Sequence, residues 1–158
     1  MKFNPQPKPE KQPKKEKKPL NKSGIKKKKP IDAELWKWFS YFIRIRDVDI
    51  CGYGECFTCK RLIRWNQGDC GHGVGRQHWG TKYNEKNNHL QCKKCNGFEE
   101  GRKDLYAIEM DKKYGKGTWD LMNASKNGKR PSEVFIKLMT KHYKFEAQQL
   151  AKQKGIEL

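Results

Sequence analysis

Two Cys-x-x-Cys pairs, Cys56/Cys59 and Cys92/Cys95, bracket 32 residues that hold Asp69, Gly71-His72, Asn87 and His89, and Asn96 follows the second pair directly. Two thiolates at i and i+3 on a tight turn can reach one tetrahedral ion, and two such turns complete a four-sulfur zinc site. A site closed by four sulfurs has no open coordination position, so this zinc is expected to be structural. Disulfides and a thiol redox pair are the competing uses of six cysteines. No apolar leader follows Met1, which places the chain in a reducing cytoplasm, and two pairs flanking a His-bearing stretch favour zinc over redox chemistry. Cys51 and Cys70 fall outside the spacing and read as unligated thiols, with Cys51 a substitute ligand if the pairing differs.

Inside the bracket the residue types suit phosphodiester hydrolysis, which needs a base to activate water and a cation to offset charge on the phosphate and leaving oxygen. A neutral imidazole suits the first task and a hard divalent ion on oxygen ligands the second. His72 is the candidate base, the alternatives being a zinc ligand or a structural histidine. Asp69 and Asn96 are the candidate oxygen ligands, although Asp69 also reads as a turn aspartate bonding its own backbone. Asn87 would orient the base or brace its loop. His89 is a candidate metal or phosphate contact, or else a packing residue. Arg76, His78, Lys82, Lys93 and Lys94 are candidate contacts to a nucleic-acid backbone, and a solvated basic loop is the plain alternative for them.

The elements that must hold these groups follow from pattern. Asp32 is placed to cap a helix, 32–47, whose apolar positions Leu35, Trp38, Phe39, Phe42 and Ile45 keep helical spacing, with Trp36 and Ile43 widening the face. Lys37, Arg44 and Arg46 point away from that face. Lys60–Trp65 reads as a strand, Asn66–Asp69 as a turn, and Gly71–Arg76 as a second extended segment. A polar loop should then lead to Leu90, and a short helix run from about Cys92 to Glu100. Leu105, Ile108, Met110 and Tyr114 suggest a helix stopped at Gly115, and Thr118 a cap for another short one. Ser132 opens a last helix with Val134, Phe135, Leu138, Met139, Tyr143 and Leu150 as its stripe; His142 on it is a surface or packing histidine. The expected fold is α+β: a small zinc-stapled module over 51–101, flanked by the first helix and by C-terminal helices over 102–154, all within one domain, 31–158.

Composition agrees with a thin core and a polyanionic partner. Only 34% of the 158 residues are hydrophobic, so a metal staple is expected to supplement the core. Residues 1–30 hold twelve Lys, two Glu and six of the seven prolines, a composition expected to stay disordered. They carry +10 of the net +18, which leaves +8 on the other 128 residues. The body itself is therefore basic, as a nucleic-acid-binding protein's would be. No run approaches transmembrane length, so no membrane partner is expected.

The combination Cys-x-x-Cys, Gly-His, Asn, Cys-x-x-Cys-Asn resembles the zinc-containing HNH (ββα-metal) endonucleases. More narrowly, Gly71-His72, Arg76, Thr81–Asn87 and His89–Asn96 look like the NinG/Rap recombination nucleases of lambdoid phages. Phe42-Ile43-Arg44-x-Arg46-Asp47 upstream, and Tyr106 with Lys113-Tyr114-Gly115 downstream, fit the same pattern, so the resemblance spans roughly residues 36–120. It implies a ββα-metal fold, with His72 as general base, Asn87 as the middle asparagine and Asn96 as the last catalytic position and a metal ligand. It also implies structural zinc on the four cysteines, catalytic magnesium or manganese, branched DNA such as Holliday junctions and D-loops as substrate, and the cytoplasm of a bacterial host. A homodimer is a candidate state. Three positions depart from the pattern: Gly71 stands where many HNH proteins place a metal ligand, Gly73 where an aromatic is common, and Glu99-Glu100 where a basic residue is common. The rival readings are a zinc-ribbon nucleic-acid-binding protein without catalysis and an HNH nuclease without preference for branched DNA.

Overall fold

The structure, a computed structural model, describes residues 30–158. The tail expected over 1–30 lies, but for Pro30, outside the described residues. The chain is α+β, with helices and four short strands in the order α1 (Ala33–Arg46), β1 (Tyr53–Glu55), β2 (Leu62–Arg64), β3 (Asp69–His72), α2 (Trp79–Lys82), β4 (Asn88–Gln91), α3 (Lys103–Tyr114), α4 (Thr118–Ala124) and α5 (Glu133–Gln153). The strands form two separate antiparallel hairpins, β1 with β2 and β3 with β4. A single helical turn, Lys94–Phe98, follows β4.

Two apolar clusters support these elements. In the first, Leu35, Phe39, Phe42 and Ile43 of α1 meet Ile136, Tyr143 and Ala147 of α5, with Cys70 of β3 beneath them. In the second, Phe57 and Val74 pack on Tyr106 and Met110 of α3 and Met122 of α4. The core faces of α3 and α5 differ from the expected stripes. Met110 and Tyr143 are buried as expected, but Ile108 is half exposed and Val134, Phe135 and Leu138 face solvent, whereas Tyr106, Ile136, Ala147 and Ala151 are buried instead. The small side chains Ala147 and Ala151 let α5 lie close to its neighbours, a role that a search for large apolar residues passes over. Ser132 caps α5 as expected, accepting a hydrogen bond from the Phe135 N–H at 3.3 Å.

Other expectations shift for local reasons. Asp69 opens a strand rather than closing a turn, and β3 ends at His72 instead of running to Arg76. β4 replaces the expected polar loop: all four of its residues are buried, with the Asn88 and His89 side chains and the Gln91 Nε2 bonded to specific partners inside. The helix expected from Cys92 to Glu100 is only the one turn Lys94–Phe98, and past it Glu100, Gly101 and Arg102 all adopt positive φ, at 51°, 84° and 46°, which no helix can continue through. Asp32 makes no side-chain cap; its carboxylate turns inward, accepting from the Lys82 ammonium and from the Tyr83 hydroxyl at 2.7 Å. Arg46 also points inward, donating to the carbonyl oxygens of Glu85 and Asn88 and pairing with Asp47. No helix among the described residues is long and apolar enough to cross a membrane.

Candidate metal centre and cleft

The four paired cysteines converge. Cys56 and Cys59 sit on the turn after β1, which the Phe57 N–H ties to the Leu90 carbonyl of β4 at 2.8 Å. Cys92 and Cys95 lie on the segment leaving β4, so both knuckles hang from the same strand. All four sulfurs lie within 4.8 Å of one another. Cys59 Sγ and Cys92 Sγ are 3.8 Å apart; Zn–S bonds of about 2.3 Å in a tetrahedron set an S···S separation of about 3.8 Å. Backbone N–H groups aim at the sulfurs, Cys92 N–H at Cys56 Sγ (3.3 Å) and Cys95 N–H at Cys92 Sγ (3.5 Å). Burial would raise the Cys56 thiol, but backbone hydrogen bonds from Cys59, Cys92 and Thr58 and the Thr58 hydroxyl outweigh it and bring its pKa down to about 6. The cluster could therefore hold a metal ion such as zinc. Cys51 is exposed and Cys70 buried, and neither belongs to the set.

The cysteine cluster fixes one wall of a cleft of about 530 Å³. The Asn96 N–H donates to the Cys92 carbonyl at 2.9 Å, anchoring the turn that carries Asn96 to the second pair. The Asn96 amide then donates to Asp69 Oδ2 at 3.2 Å, and Lys93 to Asp69 Oδ1 at 3.3 Å. β3 supplies the floor through Asp69, Cys70 and His72, and α1 the opposite wall through Trp36, Ser40 and Arg44, with Arg76 at the edge. The structure thus brings His72, Asp69, Asn96 and Arg76 to one cleft.

His72 is nearly buried, at 8% exposure, and its Nε2 has no hydrogen-bond partner. Leaving a buried polar nitrogen unpaired costs about 1–3 kcal/mol, a cost consistent with a group that meets its partner only when a ligand arrives. The Trp36 ring stacks on the imidazole, centroids 5.0 Å apart and planes 23° from parallel. The Arg76 guanidinium lies 5.1 Å over the same Trp36 ring. Burial pulls the imidazole pKa down to about 3, and the charges of Arg76, Lys103 and Lys82 add to the effect. The ring is therefore neutral at pH 7.

Other expected site residues lie elsewhere. Asn87 is fully buried, and its amide is committed to backbone: Oδ1 accepts from the Val74 N–H (2.7 Å), and Nδ2 donates to the carbonyls of Val74 (2.9 Å) and Thr81 (3.0 Å). It braces the loop after His72 and does not line the cleft. His89 is also fully buried, paired with Gly71 across the hairpin and so on the other face of the sheet from His72. Its Nδ1–H donates to Asp47 (3.0 Å), and its Nε2 accepts from the Tyr114 hydroxyl (3.1 Å). Phe57 stacks on it at 3.9 Å. Burial would raise the Asp47 pKa, but hydrogen bonds from His89 and Arg46 hold it well below the usual carboxylate range. With both ring nitrogens taken, His89 is a packing residue here. Lys82 spends its charge on Asp32 under the Trp79 ring, whereas Lys93 and Lys94 are about two-thirds exposed.

Gly71 and Gly73 have steric causes. A Cβ at Gly71 would collide with the Gln91 side chain, and one at Gly73 would press on the Tyr106 ring at 2.8 Å. The space that a side chain would need at each position is therefore already filled.

Trp36, Arg44 and Lys103, whose ammonium donates to the His72 carbonyl, belong to the site region but were not among the expected site residues. Trp36 and Arg44 share α1 with the core stripe, and nothing in its periodicity separates a cleft wall from a packing face. A family model described as bacteriophage lambda NinG protein matches residues 2–154 of the chain. No match is found among curated proteins or among solved structures.

Proposed function

Because the chain belongs to the bacteriophage lambda NinG family, we propose that it is a divalent-metal-dependent endonuclease of the HNH (ββα-metal) type that hydrolyses DNA phosphodiesters, selecting branched recombination intermediates such as Holliday junctions and D-loops. One observation carries this reading: the unpartnered, buried imidazole of His72 borders a cleft that also presents the Asp69–Asn96 pair and the Arg76 guanidinium. The β3–β4 hairpin followed by the Lys94–Phe98 turn supports the ββα arrangement, and the cysteine cluster supports a structural zinc beside it.

The roles follow from the environment of each group. His72, neutral at pH 7, takes a proton from the attacking water. A phosphodiester drawn against Arg76 and Lys103 offsets the positive charges that depress the imidazole, so substrate binding raises its proton affinity toward the useful range. Magnesium or manganese on the oxygens of Asp69 and Asn96 would supply charge stabilisation at the phosphate and the leaving oxygen. Trp36 fixes the imidazole plane, Asn87 fixes the loop behind it, and Arg76, Lys93 and Lys94 hold the DNA backbone. Symmetric incision of a four-way junction would take two copies of the chain.

The test is cleavage of labelled four-way-junction and linear duplex DNA by the zinc-loaded protein, with and without magnesium or manganese. Metal-dependent cutting that favours the junction is expected. Equal cutting of both substrates removes the structure selectivity, and tight binding without cutting in either metal replaces the nuclease by a zinc-ribbon binding protein.

A further inference from the structure

Phe98 is 87% exposed, more than any other large apolar side chain among the described residues. It stands two residues beyond Asn96 on the turn that borders the cleft, and it belongs to neither apolar cluster. Leaving a phenylalanine side chain in water forfeits about 1.5–3 kcal/mol of burial. The turn that displays it is held firmly: the Asn96 N–H donates to Cys92 (2.9 Å), the Glu99 N–H to Lys94 (3.0 Å) and the Gly101 N–H to Cys95 (2.8 Å). The ring is thus presented by a short segment fastened to the cysteine cluster. The surroundings are open, since a Cβ added at the adjacent Gly97 would meet no atom within 4 Å.

The neighbours indicate what should cover the ring. Lys93 and Lys94 are 69% and 63% exposed. Each has a carboxylate partner, Asp69 at 3.3 Å and Glu99 at 3.4 Å, and Arg102 shares Glu99 at 3.6 Å. The lysine ends are largely exposed while their carboxylate partners are about one-third so, and ion pairs open to solvent on one side are worth about 1 kcal/mol, so these cations can turn to phosphates at modest cost. A single aromatic ring beside two exposed lysines is too small for a protein-docking patch, which needs contiguous apolar area. It has the elements of a base-stacking platform: a π-face for the base and cations for the adjoining backbone.

We infer that Phe98 is the residue that selects branched DNA, by stacking on a base left without a neighbour at the branch point while Lys93 and Lys94 hold the flanking phosphates. The inference rests on the branched-DNA reading above and adds its structural determinant. A continuous duplex offers no free base face to the ring, whereas a four-way junction or a D-loop does. Phe98 is therefore a specificity residue and has no part in the hydrolytic step.

The test uses the full-length, zinc-loaded protein and a four-way junction carrying 2-aminopurine at the branch point, beside a linear duplex of equal length. Binding is measured without added magnesium or manganese, so that it is read apart from cutting. Phe98→Ala should keep its zinc and its duplex affinity within about twofold. It should lose junction affinity by roughly 5- to 150-fold, the worth of one base stacked on an aromatic ring, together with the change in 2-aminopurine fluorescence. Phe98→Trp should restore both. An unchanged junction-to-duplex ratio in Phe98→Ala, or an equal loss on both DNAs, overturns the inference even if the protein cuts DNA. Phe98-dependent junction binding by a protein that cuts nothing upholds it and removes the nuclease instead.

Discussion

Asn87→Ala separates a structural asparagine from a chemical one. The side chain is fully buried, and its amide satisfies three backbone groups: the N–H and carbonyl of Val74 and the carbonyl of Thr81. Val74 and Thr81 are themselves buried, so water cannot readily replace the lost partners. At about 1 kcal/mol for each bond removed, the variant should lose about 3 kcal/mol, and more if the orphaned groups stay dry. The assay is urea unfolding of the zinc-loaded protein. With an m-value of about 2 kcal/mol/M for a domain of this size, the midpoint should fall by about 1.5 M with little change in slope. Cleavage measured well below the transition should drop only as far as the loop carrying Val74 loosens. A stability loss under about 1 kcal/mol combined with abolished cleavage would return Asn87 to the chemistry.

The folded His72 pKa is depressed from its ordinary 6.5 to about 3, so the unfolded chain binds more protons than the folded one between those values. Stability from this group is complete above pH 6.5 and is lost as pH falls toward 3. Unfolding midpoints of the native chain and His72→Gln compared between pH 4 and 7 should show the flatter profile in the variant. Cys95→Ser, or chelation, should release the expected one zinc per chain and collapse the hairpin with it, read by metal analysis and circular dichroism. Arg76→Ala should weaken DNA binding and reduce the salt slope by about one phosphate contact. Lys82→Ala should instead lower stability and leave that slope unchanged, because its ammonium is already paired with Asp32.

Much of the architecture was legible because its signals are local. The two Cys-x-x-Cys pairs specify their own geometry, Ser132 advertises a helix start, and α1 carries an unbroken helical stripe. The failures share one cause: polar side chains buried in company that only the fold assembles. Asn88, His89 and Gln91 read as a loop, yet they form an interior strand because the carbonyls of Lys82, Asn84 and Gly101, the Asp47 carboxylate and the Thr58 hydroxyl wait for their side chains. Asp32 and Lys82 look like a cap and a DNA contact until a separation of 50 residues is closed between them. Trp36 belongs to the cleft because β3 happens to pass beside α1, and no spacing within α1 records that.

The most direct test of the account is His72→Ala in the junction cleavage assay, with zinc content and DNA affinity measured on the same preparation. Cutting in magnesium or manganese should disappear while zinc stays bound and affinity changes little. A variant that still cuts at a rate near the native chain's would contradict it, and so would one that loses its zinc and unfolds, since His72 would then be part of the scaffold.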